Sequence, residues 1–163
     1  MNKPSRLIHK GEQLDVEVDQ SIKIEQTSKD TILAFSNDEQ VAILIPAKVK
    51  RQVLVRLNKA KGKPMPVARL MLFSVGLCLL LREAAQNLTA ITIDQEYPGH
   101  EADIRGMLLR FLRKIGMRID KEGIVFARVG KCSRAHERAW RVHRGEIAPD
   151  RTVTLQELLD VLQ

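Results

Sequence analysis

Aromatic and sulfur-bearing side chains are scarce in this chain. Of its 163 residues only 4% are aromatic, with one Trp, one Tyr and four Phe, which argues against a surface on which many bases stack in succession. The two cysteines, Cys78 and Cys132, lie far apart and form no C-x-x-C pair. Neither a disulfide scaffold nor a structural zinc site is therefore expected, and a reducing cytoplasm is the expected compartment. The polar stretch from Met1 to Asp19 does not read as a secretory signal. The longest apolar run, Leu70 to Leu81, includes Ser74 and Gly76; it is short for a bilayer, so a buried helix and no membrane partner are expected. Gly62-Lys63-Pro64 lacks the phosphate-cradling P-loop pattern, there is no G-x-S-x-G, and His100-Glu101 is followed by Ile104 where H-E-x-x-H requires His.

What the chain does have is charge in blocks. Its net charge is +7. Residues 46–69 carry 8 Lys/Arg and no acid, and residues 104–144 carry 12 against 3. The remaining segments are acidic: 5 basic against 8 acidic over 1–45, 1 against 5 over 70–103, and 1 against 4 over 145–163. Basic surface beside a smaller acidic feature attracts a polyanion, while a carboxylate cluster there calls for a cation. The plainer reading is a set of solvated basic helices.

Periodicity predicts the elements. Residues 1–13 form a polar lead-in, and 14–163 read as one domain, large enough for a real core. Leu14 to Val18 alternates apolar and charged; Asp19-Gln20-Ser21 interrupts, and Ile22 to Glu25 resumes the alternation as strand. Thr31 to Phe35 and the apolar run Val41 to Ile45 complete a three-stranded antiparallel meander. Pro46 opens a helix with Val49, Val53, Leu57 and Ala60 on one face; Pro66 opens a second, apolar nearly all round, to about Asn87. A fourth strand ends at Asp94, an amphipathic helix closes at Gly116, and a fifth strand covers 124–129. Ser133 caps a further helix, and Thr154-Leu155-Gln156-Glu157 has capping-box spacing. The order is α/β: a meander, then alternating helix and strand in a mixed five-stranded sheet with helices on both faces.

That order resembles the ribonuclease H-like fold, β-β-β-α-β-α-β-α, over most of residues 14–144, with one extra helix between the third and fourth strands. The resemblance implies an acidic residue on the first strand, where Asp19 stands, and another at the end of the fourth, where Asp94 and Glu96 stand. It implies a further ligand from the last core helix, where His136 and Glu137 lie near the start, and an acid from the helix before the fourth strand, for which Glu83 is the candidate. The implied activity is a nuclease cutting a phosphodiester with Mg²⁺ or Mn²⁺. Asp19 and Asp94 would be its catalytic carboxylates, and Asp19, Asp94, Glu96, His136 and Glu137 its metal ligands. Asp19 also reads as a turn residue bracing the chain, and Glu101 and Asp103 suit the first turn of a helix.

Arg134, Arg138 and Arg141 share one stripe of their helix, and Arg110, Arg113 and Lys114 oppose the apolar stripe of theirs. Both sets are candidate phosphate contacts to DNA or RNA. Trp140 reads as a core anchor, with base stacking the alternative. Cys78 reads as core, and Cys132 has Lys131 and Arg134 nearby. Three functions stay open: a metal-dependent nuclease, a non-enzymatic nucleic-acid binder of the same fold, and a protein-interaction domain. Nothing in the sequence sets the oligomeric state.

Overall fold

A computed structural model describes residues 14–84, 88–130 and 132–163. The lead-in over 1–13, the expected end of the second helix near Asn87, and Lys131 lie outside them. Strand β1 (Leu14–Ser21) pairs antiparallel with β2 (Thr31–Ser36), and β2 pairs antiparallel with β3 (Gln40–Ile45). Helices α1 (Ala47–Lys59) and α2 (Met65–Arg82) lead to β4 (Leu88–Asp94), which lies parallel to β1. Helix α3 (Glu101–Lys114) and a short 3-10 turn, Lys121–Gly123, precede β5 (Ile124–Ala127), parallel to β4. Helix α4 (Arg134–His143), β6 (Arg151–Thr152) and α5 (Leu155–Leu162) follow. The strands lie in the order β5-β4-β1-β2-β3-β6.

The sheet thus has six strands where five were expected. The sixth is two residues long, too short for periodicity to reveal. It is held to β3 because the Asp150 carboxylate accepts from Ala42 N at 2.8 Å, and Val153 N donates to Leu44 O at 2.8 Å. A second correction concerns β1. Asp19, Gln20 and Ser21 are part of the strand, and residues 22–25 are not strand. Ile22 takes φ 63°, a left-handed conformation that is an outlier for a β-branched residue. That turn breaks the ladder and sends Ile24 into the core, fully buried. The Ile-Lys-Ile-Glu alternation therefore comes from a turn that buries one of its isoleucines.

Lys50 holds this turn from beneath. Fully buried on α1, it donates to Gln26 O at 2.8 Å and to Thr31 Oγ1 at 2.9 Å, while Thr31 Oγ1 donates to Ile22 O at 2.9 Å. Burial lowers the ammonium to about 8, against the opposing pull of Asp30 and Glu25.

Two cores sit on opposite faces of the sheet. Val16 and Val18 of β1, Leu33 and Phe35 of β2, and Ile91 and Ile93 of β4 point into the larger one, with α2 and α3. Helix α2 is 18 residues long and apolar enough by composition to cross a bilayer, yet 72% of it is buried inside this protein. On the other face Ile32, Ala34 and Ala42 meet Ala139 and Val142 of α4 in a much smaller core. Because side chains alternate along a strand, Asp15, Glu17 and Asp19 project from β1 on the α4 side.

One close approach fixes β5 against β4. A Cβ at Gly123 would lie 2.4 Å from the backbone oxygen of Thr89. Gly123→Ala should therefore destabilise the fold by about 1–3 kcal/mol, the usual range for overpacking, lowering Tm by roughly 3–10 °C. Thermal unfolding followed by circular dichroism checks this, and an unchanged Tm would refute the contact.

Candidate metal centre

The parallel ladder between β1 and β4 pairs Val18 with Ile93. The next residue along each strand is an aspartate, so Asp19 and Asp94 come to lie side by side on the α4 face. Glu96 follows two residues after Asp94, beyond the end of β4. One carboxylate oxygen from each of Asp19, Asp94 and Glu96 lies within 4.8 Å of the others. Asp19 is only 3% exposed; Asp94 and Glu96 are half-buried.

Three carboxylates at this distance repel unless held. Gln20 N donates to Asp19 Oδ1 at 2.9 Å, and His136 Nδ1 lies 2.6 Å from Asp19 Oδ2. With the carboxylate ionised, Nδ1–H is the donor. Val129 N donates to Asp94 Oδ1 at 2.7 Å. Lys23 Nζ sits 3.7 Å from Glu96 Oε2 and donates to Glu96 O at 3.2 Å. Tyr97 anchors the segment. Its ring packs on Phe73 at 4.8 Å, and its hydroxyl donates to Glu25 Oε2 at 3.2 Å. The same hydroxyl oxygen lies 3.4 Å from Gln20 Nε2 and from Ile24 N, which donate to it.

Residual repulsion appears in the proton affinities. The Asp19 carboxyl is raised above its ordinary value, first by burial and then by the Asp94 charge, with the His136 hydrogen bond opposing. Glu96 is raised to about 7 by burial, by a hydrogen bond shared with Asp94 and by the Asp94 charge. Hard oxygen donors in a half-buried cluster suit Mg²⁺ or Mn²⁺, and a cation there would replace the missing protons.

Helix α4 stands over this face. Ser133 Oγ accepts from Ala135 N at 3.2 Å as the helix cap and donates to Glu17 Oε2 at 2.8 Å. That bond tethers the helix start to β1 and places His136 over Asp19. Glu137, its neighbour in sequence, points to solvent outside the three-carboxylate group. Glu83 is at the end of α2, where it pairs with Arg151 at 2.5 Å on the far edge of the sheet, remote from β4. Glu101 and Asp103 occupy the first turn of α3, the place where a helix favours negative charge.

The two basic clusters part company. Arg134, Arg138 and Arg141 are on α4, on the carboxylate side, although Arg138 is 3.1 Å from Asp150 and Arg141 is 3.4 Å from Glu146. Arg110, Arg113 and Lys114 are on α3, which packs on the opposite face. Lys114 donates to Val161 O at 3.0 Å and also to Gln163 O, binding the end of α5. Arg110 lies over the Phe111 ring at 5.3 Å. Trp140 is not a core anchor: it is 47% exposed. Lys23, Tyr97 and exposed Arg128, next to Val129, join the neighbourhood unforeseen. The acidic row Asp15, Glu17, Asp19 was visible in principle, since a period of two puts all three on one face.

No protein-family model, curated protein or solved structure matches this chain.

The raised Glu96 gives a pH prediction without metal. The fold binds its proton more tightly than the unfolded chain does, so the stabilisation is complete below about 4.5 and is lost as pH rises through about 7. Glu96→Gln imitates the protonated form. Its Tm relative to wild type should climb across that window, by several degrees, corresponding to roughly 2–3 kcal/mol. A Tm difference that stays flat from pH 4.5 to 8 would contradict the shared-proton arrangement.

Proposed function

We propose that this chain is a ribonuclease H-like nuclease that cuts a nucleic-acid phosphodiester with Mg²⁺ or Mn²⁺, acting in a reducing cytoplasm. The observation that carries this reading is the convergence of Asp19, Asp94 and Glu96, with Asp19 buried and oriented by His136. The element order supports it: three antiparallel strands, a fourth and fifth strand parallel to the first, and a closing helix that brings a side chain to the first-strand acid.

Asp19, Asp94 and Glu96 would hold the metal, with His136 beside them and Glu137 facing away. The metal, when bound, supplies charge for activating water and for stabilising the oxygen that leaves phosphorus. The chain's own residues do the positioning. Val129 N–H ties down one oxygen of Asp94, while both oxygens of Asp19 are engaged, Oδ1 by Gln20 N–H and Oδ2 by His136. Lys23 keeps Glu96 turned toward Asp94. A phosphate approaching three carboxylates is repelled, and the cations of α4 together with Arg128 offset that repulsion around the rim.

Asp94→Asn separates this reading from a non-enzymatic binder. In the wild type, millimolar Mg²⁺ or Mn²⁺ should raise Tm by mass action, about 2.7 kcal/mol at a hundred times Kd, and the protein should cleave labelled RNA–DNA hybrid or branched DNA. Asp94→Asn should remove the metal-dependent Tm shift and lower cleavage by more than about 100-fold, while leaving nucleic-acid binding in place. A wild type indifferent to both ions that cuts none of these substrates would leave the binding module as the answer.

A further inference from the structure

The chain's one tryptophan is 47% exposed on α4. A single exposed apolar residue is ordinary, but this one has a particular setting. Trp140 lies four residues after His136, on the same helical face and about 6 Å further along the axis. His136 touches Asp19 at 2.6 Å, so the indole stands one turn from the three-carboxylate cluster. The His143 ring lies 5.5 Å from it, tilted by 36°, and the Arg144 guanidinium lies 6.0 Å from its centroid. Arg141 and Arg144 share one carboxylate, Glu146, at 3.4 and 3.1 Å. Glu137, three residues before Trp140, is exposed on the same helix, and Arg134, nearer the cluster, is exposed with no ion pair among the described residues.

A flat π-face flanked by Arg144, with the unpaired Arg134 further along the helix, matches one ligand chemistry: an aromatic base joined to phosphates. We propose that Trp140 is a stacking platform for an unpaired nucleobase, selecting single-stranded or branched nucleic acid over an intact duplex. This rests on the nuclease reading for its biological sense, since the platform is one helical turn from the proposed cutting centre. In a duplex the base faces are already stacked and cannot lie on the indole. At a strand, a branch point or an extruded nucleotide they can. Positioning a base here would set the neighbouring phosphate along α4 toward Asp19 and Asp94.

The test uses intrinsic fluorescence, because all tryptophan emission comes from Trp140. In the Asp94→Asn protein, which leaves the probe intact, a thymidine oligonucleotide should quench that emission, whereas an abasic oligonucleotide of equal length and an intact duplex should not. In the same background Trp140→Ala should weaken binding of the thymidine strand about tenfold, equal to about 1.4 kcal/mol, without changing the slope of affinity against salt. Trp140→Phe should recover most of the loss. Absence of quenching, equal affinity for Trp140→Ala, or equal quenching by the duplex would overturn the platform. So would emission that shifts with protein concentration alone, which would mean that a second copy covers the ring. Quenching without cleavage by wild type would sink the nuclease reading and leave the platform standing; cleavage without quenching would do the reverse.

Discussion

Everything at the candidate site depends on the register between β1 and β4. The two strands pair in parallel at the centre of the sheet, flanked by β2 on one side and β5 on the other. Val16, Val18, Ile91 and Ile93 are all 2% exposed or less. Burying each is worth on the order of 1.5–3 kcal/mol, and a slip of one residue would turn all of one strand's side chains to the opposite face. Hydrophobic burial on one side of the sheet therefore dictates that Asp19 and Asp94 meet on the other. Their mutual repulsion is a smaller effect than the burial that forces them together, so the fold tolerates it.

That repulsion is managed by donors drawn from four separate places: the backbone of β1, the segment after β5, the turn after β1 and the start of α4. A donor facing an ionised carboxylate contributes about 1.5–3 kcal/mol, while a buried carboxylate left without one costs at least as much. Asp19 has two such donors and Asp94 one. The left-handed Ile22, held by Thr31 and Lys50, is what turns Lys23 back over Glu96. Strain in one residue thus supports the charge balance of another.

Much of this was legible from residue order. The capping box at Thr154 and Glu157, the closure of α3 at Gly116, the Ser133 cap and the enclosure of α2 all follow from local rules. The placing of Asp19 and Asp94 on neighbouring strands comes from the resemblance in element order, since no local rule pairs β1 with β4. What local rules cannot say is which side of the sheet a helix takes. Helices α3 and α4 both present a basic stripe, and only the packing of Leu108 into one core and Ala139 into the other puts them back to back. Trp140 is exposed rather than a core anchor for a related reason. Helix α4 rests its Ala135, Ala139 and Val142 on a shallow apolar patch, which leaves no room beneath it for an indole. Residues 22–25 misled because a turn that buries one isoleucine and a strand that buries alternate ones spell the same pattern.

The strand order has one more consequence, at its two ends. A sheet with free edges is a template on which other chains can polymerise, and long flat edges are the dangerous ones. Here the outermost strands are the shortest: four residues in β5 and two in β6. On the β5 edge Arg105 donates to Ile124 O at 3.1 Å and lies over the Phe126 ring at 5.4 Å, placing a permanent charge beside the apolar strip that includes exposed Val125. On the β6 edge Arg151 is engaged by Glu83 and Glu157. The six-residue β3 is covered by β6 at Ile43 and Leu44. The apolar β5 edge is limited instead by its four-residue length and by the guanidinium of Arg105 beside it.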